Sequence, residues 1–223
     1  ESRDGAWRED PKKHTCLHEH YYRTLTKEQE RERASEIAEQ VKRCIGNFLE
    51  RTLPRLAEVS LLDEVLVDAG GERGKDVEHF EIEDVKIYAI PDYVYRTGEA
   101  LHIIDWKAGR PRKGHRDQLG VYALWAMARL GAQPEQLLLS AEYLNEGAVL
   151  LEEVDEERLD AVREFIGLSV GEMTEYLVDL DRTKNRPVPR EEWELASDTR
   201  SCRHCNYFEL CRRELGVESM AQL

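Results

Sequence analysis

The chain has no apolar run approaching the ~18–20 residues that a membrane-spanning helix needs, and no signal-peptide pattern opens it. These absences set the expectation of a soluble, cytoplasmic protein. The first residue is Glu1 rather than Met, which suggests a processed or trimmed chain. Internal repeats and low-complexity tracts are also missing, so the 223 residues make either one good-sized core or a domain with an appended module. Positive charge is scarce. Against 46 Asp and Glu stand only 32 Lys and Arg, a formal net charge of −14. Affinity for DNA comes chiefly from Lys and Arg contacts to phosphate, so this balance argues against a passive nucleic-acid binder. An enzyme escapes the objection if a bound metal and a local basic strip offset the acid. One strip follows Lys107 (Arg110, Arg112, Lys113, His115, Arg116), and a second lies near the end (Arg200, Arg203, His204, Arg212, Arg213). Either strip can also be an ordinary solvated loop.

What is present is most informative between Ile90 and Lys107. This stretch reads as two short apolar strands joined by a turn at Arg96–Glu99. Three charged residues interrupt it: Asp92 at the start of the first strand, Asp105 and Lys107 at the end of the second. Asp105 and Lys107 are two apart and project from one face, and a hairpin register brings Asp92 alongside Asp105. Converging carboxylates repel unless a cation neutralises them, and an adjacent ammonium adds a fixed positive charge. That set suits a divalent metal and a phosphate. A solvated strand edge is the competing interpretation. Yet Leu101–Ile104 leads straight into Asp105, and a buried carboxylate is rare unless it is paired or binds metal.

Elsewhere, Ala34, Ile37, Ala38, Val41, Ile45 and Phe48 recur at helical spacing and predict a helix from Lys27 to about Arg51, ended by Pro54. Strands are expected at Val59–Val67, Phe80–Ile90, Tyr93–Tyr95, Leu101–Asp105, Leu137–Leu144 and Ala148–Leu151. Gly70, Gly71 and Gly74 punctuate the first gap. Helices are expected at about Asp117–Leu130 and Glu156–Leu180, and Pro187 and Pro189 open an irregular tail. This order makes an α/β domain with a mixed central sheet. Gln118 and Tyr122 share a helix face with Trp125 and Arg129. Taken alone, Tyr122 and Trp125 fit a core as well as a site.

Three of the five cysteines, Cys202, Cys205 and Cys211, are closely spaced. In an intracellular protein that favours metal or cluster ligation over disulfides. Three thiolates leave a tetrahedral zinc or a four-iron cluster one ligand short, and Cys16 is the natural fourth. Zinc held by four Cys, or with His18 or His204 in place of one, is an alternative that the spacing leaves open. Cys44, within the long helix, is expected as a small buried apolar residue. Four thiolates on one centre require residues near 16 and 202–211 to meet, stapling the two ends of the domain.

Together these residues resemble the PD-(D/E)XK nuclease superfamily, and within it the RecB-like branch with a four-cysteine iron–sulfur cluster. That branch includes the CRISPR-associated RecB-like exonucleases and the AddB nuclease domain. The resemblance runs from Cys16 to Cys211. It implies a restriction-endonuclease-like mixed central sheet flanked by helices, one domain over 1–223, with 1–25 and 195–215 joined as a small cysteine-cluster module. It makes Asp92 and Asp105 the metal-binding acids, Trp106 a metal ligand through its carbonyl, and Lys107 the catalytic lysine. Gln118 and Tyr122 match the downstream motif beside the scissile phosphate. Cys16, Cys202, Cys205 and Cys211 match the ligands of a 4Fe–4S cluster. The implied activity is Mg- or Mn-dependent hydrolysis of DNA, as an exonuclease on single strands or free ends, in repair, recombination or antiviral defence. Other proteins of a CRISPR or recombination complex are the implied partners; no membrane is involved. The alternative is a nuclease-fold protein, weak or inactive as an enzyme, that binds DNA ends or a partner. One departure stands out. The position where relatives carry a metal-binding His on the first helix best aligns with Lys42. A protonated Lys is no ligand, so Glu39 or Glu36 is the expected substitute.

Overall fold

The computed structural model describes residues 4–10, 12–14, 16–22, 24–67, 77–205 and 207–217, with the backbone alone at 18, 19, 66, 67 and 204. Gly70, Gly71 and Gly74, and the side chains of His18 and His204, lie outside what is described. The chain divides into two compact units, Ile37–Glu172 and a second made of Glu1–Glu36 with Met173–Leu223.

The Ile37–Glu172 unit is built on a five-stranded sheet. Its strands are β1 (Glu64–Val67), β4 (Tyr93–Thr97), β5 (Ala100–Lys107), β6 (Leu137–Tyr143) and β7 (Ala148–Glu152), in the spatial order β1-β4-β5-β6-β7. The β4–β5 pair is the hairpin expected from sequence, with Tyr93 opposite Ile104 and Thr97 opposite Ala100. Gly98 at its tip takes φ 60°, the left-handed conformation that costs glycine least. Strands β5 and β6 are parallel, and the other pairs are antiparallel. A parallel pair needs a long crossover, and helix α4 (Lys113–Leu130) supplies it.

Helix α4 is buried on most of its circumference, through Leu119, Tyr122, Ala123, Leu124, Trp125 and Ala126. Both its polar-aromatic and its apolar stripe are therefore packed, against a core that includes Val94, Leu101, Ile103, Leu139 and Ala141. Helix α5 (Glu156–Thr174) adds Leu159, Val162 and Ile166 to the same core. It crosses α4 at Gly120, where an added Cβ would sit 2.4 Å from Val162 Cγ2. Tyr93, Tyr95 and Ile104 form a second core cluster, with Leu56, Val59 and Trp106 packed against it.

Four expectations about this unit are corrected. Phe80–Ile90 is two strands, β2 (His79–Ile82) and β3 (Val85–Tyr88), paired as a separate hairpin. Its turn residues Glu83 and Asp84 take φ 48° and 63°, the geometry of a two-residue hairpin turn without the glycine that usually announces it. Val59–Val67 holds a strand only from Glu64, because Ser60–Asp63 forms a turn that leaves Leu61 and Leu62 exposed. Pro54 does not end the long helix. α2 (Lys27–Asn47) continues through a π-helical turn (Phe48–Thr52) into α3 (Leu53–Leu56), with Pro54 in the first turn of α3.

The fourth correction concerns Cys44 of α2, expected to be buried. Ile37, Val41 and Ile45 remain 48%, 49% and 54% exposed, and Cys44 is half-buried. The polar face is the one engaged. Gln40 Nε2 donates to the Ala108 carbonyl (2.8 Å), Arg43 to Asn145 Oδ1 (3.2 Å), Asn47 Nδ2 to the Leu144 carbonyl (2.7 Å) and Arg51 to the Gly147 carbonyl (2.6 Å). Gln40, Asn47 and Arg51 thereby satisfy backbone carbonyls of the loops after β5 and β6.

In the other unit, α1 (His18–Tyr22) and α6 (Phe208–Cys211) are short, and 3-10 turns at Val178–Leu180, Arg190–Glu192 and Thr199–His204 precede α6. Helix α5 stops at Thr174 rather than near Leu180. Beyond it the chain folds back, with Val178 N donating to Arg186 O and Val188 N to Tyr176 O. Tyr22 packs edge-on against Phe208 (5.7 Å), and Cys202 and Phe208 are buried with Leu215 and Val217 against them.

Candidate active site

The parallel register sets Asp105 opposite Ala141 and Lys107 opposite Tyr143. Alternation along β5 therefore sends Asp105 and Lys107 to the face covered by α4, and Trp106 to the other. There Gln118 and Tyr122, one helical turn apart, complete a closed ring of side chains. Lys107 Nζ donates to Gln118 Oε1 (2.7 Å), and Gln118 Nε2 donates to the Tyr122 hydroxyl (2.7 Å). That hydroxyl shares its one proton between Asp105 Oδ1 (3.1 Å) and the Ile90 carbonyl (3.0 Å). Lys107 Nζ lies 2.5 Å from Asp105 Oδ2, which closes the ring.

Burial gives the ring its electrostatic character. The Asp105 side chain is only 4% exposed. Among the described residues its Oδ2 makes no other contact than the Lys107 ion pair, which therefore balances the buried charge. Burial, followed by the charge of Asp105, pushes the Tyr122 phenol far above its ordinary pKa; it remains a neutral donor. Asp92 is held just outside β4. Its Oδ2 accepts from Trp106 N (2.6 Å), which fixes the carboxylate beside the Asp105–Trp106 peptide. Both carboxylates act electrostatically on Tyr122.

Two further residues join the site. His115 Nδ1 lies 2.9 Å from the Tyr143 hydroxyl and accepts from Arg112 N (3.3 Å). The backbone donor makes Nδ1 the acceptor, so the neutral ring carries its proton on Nε2. Burial, then the positive charge of Lys107, lowers the His115 pKa, with Asp105 opposing. Burial, then Asp105, raises the Tyr143 phenol. His115 was legible only as part of a basic strip. Tyr143 carried no local signal, because its place beside Lys107 follows from the parallel register.

Asp92, Asp105, Trp106, Lys107, Gln118 and Tyr122 are thus gathered at one place. Glu39 is not linked to them: it is exposed and paired with Lys42 Nζ (2.7 Å), which lowers its pKa. Glu36 pairs with Arg33 (3.0 Å). Gln40 is the α2 residue that reaches the end of β5. Among the described residues no three His, Cys, Asp or Glu side chains stand together as a metal group. This applies equally to Cys16, Cys202, Cys205 and Cys211. All four share one compact unit and none forms a disulfide.

The donor set at β5 nonetheless suits a hard cation: two carboxylates, one of them buried and balanced by Lys107 alone. A mixed sheet with paired acids and a lysine at the end of a hairpin strand, covered by a crossover helix, defines a restriction-endonuclease-like nuclease fold. The chain belongs to the PD-(D/E)XK nuclease superfamily, whose pattern it matches over residues 6–212. Members of that superfamily are phosphodiesterases that typically use divalent metals. No curated protein and no solved structure matches the chain. No helix among the described residues is long and apolar enough to cross a membrane.

Proposed function

We propose that the chain is a Mg²⁺- or Mn²⁺-dependent deoxyribonuclease acting on single strands or free ends. The observation that carries this is the Asp105–Lys107–Gln118–Tyr122 ring, with Asp92 beside it. Asp92, Asp105 and the Trp106 carbonyl would hold the cation, with Glu39 recruited from α2 if it releases Lys42. The chemistry supplied by a bound cation is a lowered pKa for water and neutralisation of growing phosphate charge. Lys107 orients the attacking water and adds a fixed positive charge to the transition state. Gln118 keeps the Lys107 ammonium pointed at the site, and Tyr122 fixes the orientation of the Asp105 carboxyl through its hydroxyl. Arg110, Arg112 and Lys113 supply positive charge for neighbouring phosphates. The test is Mn²⁺-dependent cleavage by wild type, lost in Asp105→Ala with the circular-dichroism spectrum retained. Activity insensitive to EDTA contradicts the proposal.

A second reading, a nuclease fold that binds DNA ends or a partner without cutting, has its own support. Lys42 occupies the helix position where an additional ligand is expected, and no trio of ligands stands together among the described residues. DNA binding without cleavage in Mn²⁺ favours it.

We further propose that Cys16, Cys202, Cys205 and Cys211 hold a 4Fe–4S cluster, with zinc as the alternative. Their common unit supports this, as does the Tyr207 N–H donated to Cys205 Sγ (3.3 Å), a bond that stabilises a thiolate. Anaerobically purified protein is expected to absorb visible light and contain iron. A colourless protein with one zinc refutes the cluster. Antiviral defence or recombination is the proposed setting, in complex with other proteins.

A further inference from the structure

An open groove of about 430 Å³ borders the site between the start of α4 and β7. One wall carries Arg112, Lys113 and Arg116; Ala148, Val149 and Leu150 line the other. Tyr143, which also lines the groove, joins it to the catalytic ring. It bonds His115 and lies opposite Lys107 in the β5–β6 register. Among the described residues no acidic side chain lines the groove, in a chain with a net charge of −14. Glu152 stands behind the wall and holds Arg116 (2.7 Å), which leaves Arg112 and Lys113 as the more available charges.

We propose that this groove takes a single unpaired nucleotide next to the scissile phosphate, and that it makes the enzyme selective for single-stranded DNA. The proposal rests on the nuclease assignment of the Lys107 site. Cations on one wall match the sugar–phosphate backbone, and the aliphatic wall accepts the face of one base. The volume lies at the low end of the ~300–1,000 Å³ of sites that bury small organic ligands, with room for one nucleotide. A paired base brings a second strand that the groove cannot hold. Ala148 and Val149 are both exposed, so occupying their wall does not disturb the core.

The test uses Ala148→Trp, which fills the groove, and Lys113→Glu, which reverses a wall charge without adding bulk. Cleavage in Mn²⁺ and fluorescence anisotropy in EDTA are measured on a single strand, the matching blunt duplex and a single strand carrying one abasic nucleotide. Wild type is expected to favour the single strand. Ala148→Trp should raise its KM and Kd about tenfold, the scale of one lost base contact, with kcat nearly unchanged. The abasic strand should lose a comparable factor in wild type and little in Ala148→Trp. Lys113→Glu, with its helical spectrum intact, should weaken single-strand binding as well. Equal treatment of the strand and duplex by wild type, or unchanged constants in both variants, overturns the groove assignment. If no DNA is cut, the nuclease assignment fails separately, and the anisotropy data alone decide whether the groove holds a nucleotide.

Discussion

Tyr122 is the residue on which the site's polar order turns. Its hydroxyl receives a hydrogen from Gln118 and supplies one toward Asp105, from a position where burial keeps it neutral. Tyr122→Phe keeps the ring in the core and removes only that link. The expected result is a stability loss of ~1 kcal/mol and a larger fall in kcat, measured by chemical denaturation and by steady-state cleavage. His102 makes a prediction in pH. It stacks on Tyr95 (4.4 Å, 4° between planes), and burial, then the charge of Arg55, lowers its pKa. The unfolded chain therefore binds more protons as pH falls below the free imidazole value of about 6.5. The stabilisation is complete above that value and is lost as pH falls through the lowered folded pKa. Calorimetry should show Tm dropping on acidification, with a shallower drop in His102→Phe, which keeps the stack.

At the scale of elements, the β4–β5 hairpin and helix α4 were legible because local signals agree: a turn flanked by apolar strands, and Gln118 and Tyr122 on one helix face. Three features were not. The β2–β3 turn is made by Glu83 and Asp84 in left-handed conformations, with no glycine to mark it. Helix α2 carries an apolar stripe of which Ile37, Val41 and Ile45 stay exposed, while its polar side meets the loop carbonyls of Ala108, Leu144 and Gly147. Tyr143 joins the site through a parallel pairing set by a crossover helix, which no local pattern encodes. The α4–α5 crossing gives the sharpest test of packing. Gly120→Ala sets a methyl 2.4 Å from Val162 Cγ2, and overpacking of this kind costs ~1–3 kcal/mol. Val162→Ala should restore much of the loss; if the double variant is no more stable than Gly120→Ala, the contact is not the cause.

For the whole molecule, charge is the governing quantity. An acidic chain that binds DNA through a few local cations should show a shallow salt dependence, with a slope near −0.7 for each phosphate contact to a single strand. Removing both Arg112 and Lys113 as alanines should reduce that slope by about 1–2, read from anisotropy across a salt series. An unchanged slope places the phosphate contacts elsewhere on the surface.

The most direct measurement is an end-labelled nuclease assay in Mn²⁺ that compares wild type with Lys107→Ala. Cleavage by wild type that disappears in EDTA, and is absent in a folded Lys107→Ala protein, is the predicted result. Equal cleavage by the two proteins would contradict the assignment of the Asp92, Asp105 and Lys107 site as the catalytic centre.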